Sequence, residues 1–269
     1  MRTNTKVFLG LSVIFAIALI LITPETWPAI LALGMGLVGT TINELPRISD
    51  VLLFEEGEEV NWVRNTITIV SGTATCVLGQ VMGKITIGAA TSAAKAGGNT
   101  ASSGSLTMDA TAPIGVNCKV GIYRVYCVLA AANAGLFSVV DPLGGEVGTV
   151  TAAITTGTVF SGDIKFALLA ITSHDFVVGD GFDVTVAAGS GKYAQVTPAA
   201  VDGSAVAAAV LLQAATPTAD VTAVAVVQGP AIFKENGLQW TSGMTAPQKT
   251  AAIAQLAAAG MATRVGYGV

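Results

Sequence analysis

Residues 199–233 read AAVDGSAVAAAVLLQAATPTADVTAVAVVQGPAIF, a run that carries only two charges, Asp202 and Asp220. Its polar residues fall in short clusters and do not line one helical face. A chain this apolar must bury nearly every side chain while pairing its backbone, and its Val and Thr content favours strands over helix. Asp202-Gly203 and the ATPTAD cluster are turn signals. The reading is a strand over 205–213, a turn, and a second strand over 221–228. Small side chains let sheets pack closely, so the segment builds a rigid platform and holds no chemistry of its own.

The rest of the composition points the same way. The 269 residues are 52% hydrophobic but only 6% aromatic and 11% charged, against a usual charged share of about 25%. Ala, Val, Gly and Thr in bulk predict a mainly β chain with many tight turns. The net charge is -4 and the 13 basic residues are scattered, which argues against a nucleic-acid partner because phosphate binding needs clustered Lys and Arg. Cys76, Cys118 and Cys127 form no C-x-x-C, and the single histidine, His174, lies far from them in sequence, so neither a disulfide framework nor a zinc site is expected. Cys118 and Cys127 flank a predicted strand and are placed to pair; three buried thiols in a reducing compartment is the competing reading.

The N-terminus breaks the pattern. After Arg2 and Lys6, residues 7–22 are uncharged and apolar, and 23–39 contain a single acid, Glu25. A spanning helix needs roughly 20 such residues, so an apolar helical segment, membrane-inserted through 7–22, is one expectation. A cleaved signal, for which no A-x-A-like site follows, a helical hairpin around Pro24 and Pro28, and an extension preceding a true start at Met35 are the others. The character changes from Thr40 onward.

Residues 42–60 hold Pro46 and the acids Glu55, Glu56, Glu58 and Glu59 around Gly57. They read as an exposed arm with an apolar patch at 51–54, of the kind that can join a partner's sheet edge as an added strand. NTITIV, 65–70, alternates with period two, and GQVMGKITIG, 79–88, follows a turn. Residues 89–104 are small, polar and Gly-rich, a loop composition. GIYRVYCVLAA, a turn at Asp141-Pro142-Leu143-Gly144-Gly145, and DFVVGDGFDVTVAAGSG with a turn at Gly179-Asp180-Gly181 then predict a small β-sandwich or barrel. KYAQV resumes the earlier style. One helix is expected near the C-terminus: Thr245 is its N-cap, Gln248 completes a capping box, Pro247 sits in the first turn and Gly260 stops it. Ile253, Leu256 and Ala257 are expected on its packed face.

No motif supports catalysis. GSGK at 189–192 lacks the distal Gly and the Ser or Thr of a phosphate loop, having Val186 and Tyr193 there. In SHDF, strand neighbours point to opposite faces, so Ser173 and Asp175 turn away from His174. GDGFD lacks the rest of a calcium loop and reads as a β-turn. Trp62 and Trp240 are too few for a stacking platform. Neither a cofactor nor a metal is expected, and the chain is not expected to be an enzyme.

The order PRISDVLLFEEG, NTITI, GQVMGKIT, then DGSAVAAAVLLQAATPTADVTAVAVVQGPAIF, NGLQW and IAQLAAAGMATR resembles the lambda-type head decoration proteins of tailed bacteriophages. The likeness runs from about Leu45 to Arg264, and residues 98–191 resemble a β domain that longer members carry between the two halves. The resemblance implies a small β domain, 44–97 plus 191–269, interrupted by an inserted β-sandwich-like domain, 98–190; the apolar segment, 1–43, precedes them in the sequence. It implies a virion protein that binds the outer surface of the expanded capsid as a homotrimer, with the major capsid protein as partner. The arm residues Leu45, Pro46, Arg47, Val51, Leu52, Leu53 and Phe54 are the expected capsid contact. Two features depart from the pattern. The apolar N-terminus has no counterpart, and Gln228-Gly229-Pro230 stands in a late strand, where a proline that cannot donate should end the strand or place it at an edge. A membrane-anchored or exported β-rich surface protein is the alternative, and a tail or fibre component a third reading.

Overall fold

The computed structural model describes residues 46–56, 63–99, 104–154, 157–170 and 175–265. The apolar N-terminal segment lies outside these residues. The described chain is mainly β with one helix near the C-terminus. Five strands form a closed barrel: β2 (Arg64–Ile69), β3 (Val81–Lys84), β12 (Tyr193–Gln195), β13 (Ala207–Leu211) and β14 (Val221–Val226), in the order β12-β2-β14-β13-β3. β14 pairs with β2 over six positions, from Val221 opposite Ile69 to Val226 opposite Arg64. The strands expected over 205–213 and 221–228 are therefore present and shorter at their ends. Asp202-Gly203 makes the expected turn: Gly203 has φ +97°, and Asp202 Oδ1 accepts from the Ser204 N–H at 2.9 Å and its hydroxyl at 2.6 Å.

Alternation along these strands makes two separate cores. Ile67, Ile69, Met82, Ala209, Leu211, Ala223 and Ala225 gather with Cys76. A five-stranded barrel has a narrow lumen, which suits three alanines among seven strand residues. The intervening Val81, Val210 and Val226 face the other way, into a second cluster with Val51, Phe233, Leu256 and Met261. That cluster is closed by a three-stranded sheet, β1 (Leu52–Glu55), β15 (Ala231–Lys234) and β16 (Met261–Arg264), ordered β1-β15-β16, and by helix α1 (Ala246–Ala258). α1 links the parallel pair β15 and β16. Its capping box forms as expected, with the Thr245 N–H donating to Gln248 Oε1 at 2.9 Å. The packed face is Ala252, Ile253 and Leu256; Ala257, expected there, is exposed. Ala252 lies four residues before Leu256 and so shares its stripe, and Ala257 falls one step round the helix.

The remaining strands form a two-sheet sandwich. β4 (Ile87–Ala94), β6 (Gly121–Ala131), β7 (Ala134–Val140), β8 (Glu146–Ala152) and β11 (Gly181–Ala188) make one sheet, ordered β4-β11-β6-β7-β8. β5 (Gly104–Met108), β9 (Thr158–Ser161) and β10 (Lys165–Ala170) make the other, ordered β5-β10-β9. The core between them includes Tyr123, Phe137, Phe166, Phe176 and Val184, and Phe137 meets Phe176 edge to face with centroids 4.7 Å apart. The β7–β8 hairpin read from the sequence is present, but residues 175–178 form no strand: β11 pairs with β4 and β6 instead, and the Asp180 N–H donates to the Val177 carbonyl in the turn that precedes it.

The loop composition of residues 89–104 is misleading: 89–94 belong to β4, which pairs with β11 from Ala94 opposite Phe182 to Ile87 opposite Ala188. Small residues satisfy a strand at the sheet's border, where little side-chain volume needs covering, so composition hides it. β3 pairs with β12, the Ile85 N–H donates to the Lys192 carbonyl at 2.8 Å and the Gly189 N–H to the Thr86 carbonyl at 2.9 Å. The ladder thus continues from the barrel into the sandwich as one two-stranded ribbon. The Asp202 carbonyl braces it by accepting from the N–H groups of Thr86 and Ile87.

The late strand ends where proline requires: β14 stops at Val226 and β15 restarts at Ala231, after a cis Gly229-Pro230 bond. There the backbone crosses Gly260. The Gly229 N–H donates to the Ala259 carbonyl at 2.9 Å, and a Cβ on Gly229 would stand 1.8 Å from the Gly260 carbonyl oxygen. Gly229→Ala should therefore force the chains apart at a cost of about 1–3 kcal/mol, lowering the thermal midpoint by roughly 5 °C. An unchanged midpoint in calorimetry would show that the crossing tolerates a methyl group.

Candidate functional site

The arm begins in a 3-10 turn, Ile48–Asp50. Asp50 Oδ2 accepts from the Arg47 N–H at 2.8 Å, and the Val51 N–H donates to the Ile48 carbonyl at 3.0 Å. The chain then enters β1, antiparallel to β15, with Leu52 opposite Phe233 and Phe54 opposite Ile232. Two residues on β1 thus span a single step of β15, a bulge centred on Leu53. The bulge breaks the in-out alternation: Leu53 and Phe54 are neighbours in sequence yet 48% and 51% exposed. Ile48 is 40% exposed beside them. β1 is a terminal strand of its sheet, so its outer ladder groups face away from β15.

The segment is anchored and does not dangle. Val51 is buried with Phe233 and Leu238. Its carbonyl accepts from the Lys234 N–H at 2.8 Å, and the Lys234 ammonium reaches the Ser49 carbonyl at 2.8 Å. Gly237 is held so close that a Cβ there would lie 2.5 Å from the Asp50 carbonyl oxygen. Glu55 pairs with Arg64 of the barrel, Nε to Oε2 at 2.8 Å, and the Glu56 N–H donates to the Pro230 carbonyl at 3.0 Å.

Of the seven residues singled out from the sequence, Leu53 and Phe54 stand exposed, Pro46 and Arg47 are exposed at the start of the arm, Leu52 is half-buried and Val51 is core. Leu45 lies outside the described residues. Ile48 and the Glu55–Arg64 clamp went unnoticed; the clamp has no local signal, since its partners meet only through the tertiary fold.

The other motifs have structural employment. Lys192 of GSGK pairs with Asp220, and residues 189–192 run in the junction ribbon. Asp175 Oδ1 accepts from the N–H of Asn133, the left-handed residue at φ +53° in the β6–β7 turn, at 2.6 Å; Ser173 and His174 lie outside the described residues, as does Trp62. Asp180 is buried, and its Oδ2 accepts from the Val177 N–H at 3.0 Å. All three cysteines are free and buried, so Cys118 and Cys127 are not paired. Burial pushes the three thiols above their ordinary pKa, which leaves them protonated and poor nucleophiles. Among the described residues no cluster of His, Cys, Asp and Glu is arranged to hold a metal ion, and no helix is long and apolar enough to cross a membrane.

A second surface lies at the junction end of the sandwich. The β7–β8 turn is organised by Asp141, whose Oδ1 accepts from the N–H groups of Leu143 and Gly145, both at 2.8 Å. Asp141 also pairs with Lys119 of the loop before β6. The hydrogen bond from Lys119, followed by those from the turn's backbone, holds the Asp141 carboxyl below the usual range. Tyr123, its own pKa raised mainly by burial, accepts through its hydroxyl from the Lys119 N–H at 2.8 Å.

The fold is a closed barrel continuous through a ribbon with a sandwich, and β1 is a bulged terminal strand that exposes apolar side chains. The chain belongs to the bacteriophage lambda head decoration protein D family, whose model matches residues 41–261. It is thus a member of a family of structural phage head proteins. No curated protein matches the chain. Among solved structures, the crystal structure of Xanthomonas campestris FlgL (space group H3) is 19% identical over 45% of this chain and 34% of that chain. Its TM-score is 0.26, and the likeness bears on neither fold nor function.

Two outcomes follow. Val51→Ala should cost about 1–3 kcal/mol in chemical denaturation, whereas Phe54→Ser should shift stability by less than about 0.5 kcal/mol; equal losses would mean that Phe54 is packed and not displayed. Asp109, Asp141 and Asp220 all have lowered folded pKa values. Their stabilisation is present above the unfolded value, about 4, and is lost as pH falls through the folded values. Midpoints measured from pH 7 to 2 should therefore fall below about pH 4, and Asp141→Asn should start lower at pH 7 and fall less steeply.

Proposed function

We propose that the protein binds the outer surface of the expanded phage head as a homotrimer and stabilises that lattice, with the arm as its contact to the major capsid protein. The observation that carries this reading is the bulged, exposed edge strand in a member of the decoration family. An open edge offers backbone groups for strand addition, and side chains on alternate positions give specificity. Leu53 and Phe54 supply exposed apolar surface for that contact, Pro46 and Arg47 flank it together with Leu45, and Val51 and Leu52 fix its register from within. A C3 trimer repeats one heterologous contact until it closes. If the protein binds only the expanded lattice, each bound trimer shifts the equilibrium toward that state by mass action. In the domain division that accompanies this reading, 44–97 and 191–269 form the decoration body and 98–190 an inserted domain, whose sheet also takes in β4 from Ile87.

Leu53→Asp with Phe54→Asp should preserve the folded body and weaken binding to purified expanded heads at least tenfold, measured by sedimentation and quantitative mass spectrometry. Wild-type protein should approach one copy per major capsid subunit. Undiminished binding by the double variant would overturn the arm assignment. Recovery of the wild type with host membranes and not with particles would overturn the decoration reading itself.

A further inference from the structure

The junction end of the sandwich exposes aliphatic side chains on a stiff support. Val116 and Leu143 are 83% and 82% exposed, and Val120 and Ile122 are 45% and 50% exposed. Val116 and Val120 lie in the loop before β6, Ile122 near the start of β6 itself and Leu143 in the β7–β8 turn. Lys119 of the loop pairs with Asp141 of the turn, and a Cβ on Gly121 would stand 2.7 Å from Pro142 Cβ. The Cys118 N–H donates to the Gly115 carbonyl, closing the first loop on itself. Surface valines and leucines scattered singly are unremarkable, but these four lie on segments braced to each other through Lys119–Asp141 and Gly121–Pro142.

We propose that Val116, Val120, Ile122 and Leu143 form a lateral contact to a second copy of this chain through the inserted sandwich. Size argues for that occupant. Four side chains offer on the order of a few hundred Å², well short of the 1,200–2,000 Å² or so that a stable free complex buries. Such a patch acts only on a neighbour already held close, where tethering supplies a high effective concentration. Copies bound to one shell meet that condition, so the inference rests on the decoration reading. Charge agrees. The chain carries a net charge of -4, so two copies repel, but within this patch Lys119 and Asp141 cancel. Aliphatic contact is non-directional and needs no complementary donor or acceptor, so one patch can meet its own counterpart. The contact would couple neighbouring sites and make filling of the lattice cooperative.

The test uses full-length protein with Leu143→p-benzoylphenylalanine, mixed with nitrogen-15-labelled copies, bound to purified expanded heads, irradiated, and read by mass spectrometry. Crosslinks between labelled and unlabelled chains are expected. Crosslinks to the major capsid protein alone, or none on particles that carry the protein, would overturn the lateral contact while leaving decoration intact. Failure to bind particles at all would remove the decoration reading, and this proposal with it. As a second measurement, Val116→Asp with Leu143→Asp should leave the melting midpoint unchanged and raise the concentration that half-fills the lattice roughly tenfold. An unaltered filling curve would also count against the contact.

Discussion

Everything in the described fold depends on one ladder. The barrel takes β2 and β3 from before the sandwich and β12, β13 and β14 from after it, so it cannot close until about a hundred intervening residues return to their starting point. For a flexible loop that length costs on the order of 4 kcal/mol in closure entropy alone. The ribbon removes much of this burden, because β4 and β11 pair within the sandwich and hand their register directly to β3 and β12. Asp202 then brackets the handover from the barrel side, its carbonyl accepting from Thr86 and Ile87. The same ladder that closes the barrel leaves no unpaired hinge between Lys84 and Ile87, so the sandwich is carried stiffly.

Small side chains are the second requirement. Alanines at 209, 223 and 225 allow five strands to close around Ile67, Ile69, Met82 and Leu211, and paired glycines at 229 and 260 let β15 enter its sheet beside the end of α1. At Gly229 even a methyl group has no room. The Ala-rich run that dominates the sequence suits the narrow lumen of a five-stranded barrel.

Legibility followed side-chain contrast. β6, β7 and β8 could be read almost to the residue because Tyr123, Val125 and Cys127 alternate with exposed neighbours and because Asp141 to Gly145 punctuates the hairpin. The helix was legible from its caps, which are local chemistry, though its buried face was misplaced by one residue at Ala257. β4 was missed because AATSAA has no contrast to read: its small residues suit a border strand and a linker equally. The arm was legible as an apolar patch but not as a strand, since the bulge at Leu53 erases the period-two signal that would have marked it. Anchors such as Glu55 with Arg64, or Lys119 with Asp141, join residues of different elements and leave no trace in the sequence pattern.

Those failures share a cause that bears on function. A residue that obeys the burial pattern of its strand is explained by the fold; one that breaks it needs another reason. Leu53 and Phe54 break it through a bulge, and Val116 and Leu143 stand exposed in turns, whereas every cysteine and Asp180, chemically suggestive in sequence, sits buried. Leu53, Phe54, Val116 and Leu143 thus stand among the exposed apolar side chains of the described residues. If the proposed contacts are right, stiffness matters more than chemistry, because a small apolar contact holds only where it is presented in a fixed orientation and in many copies.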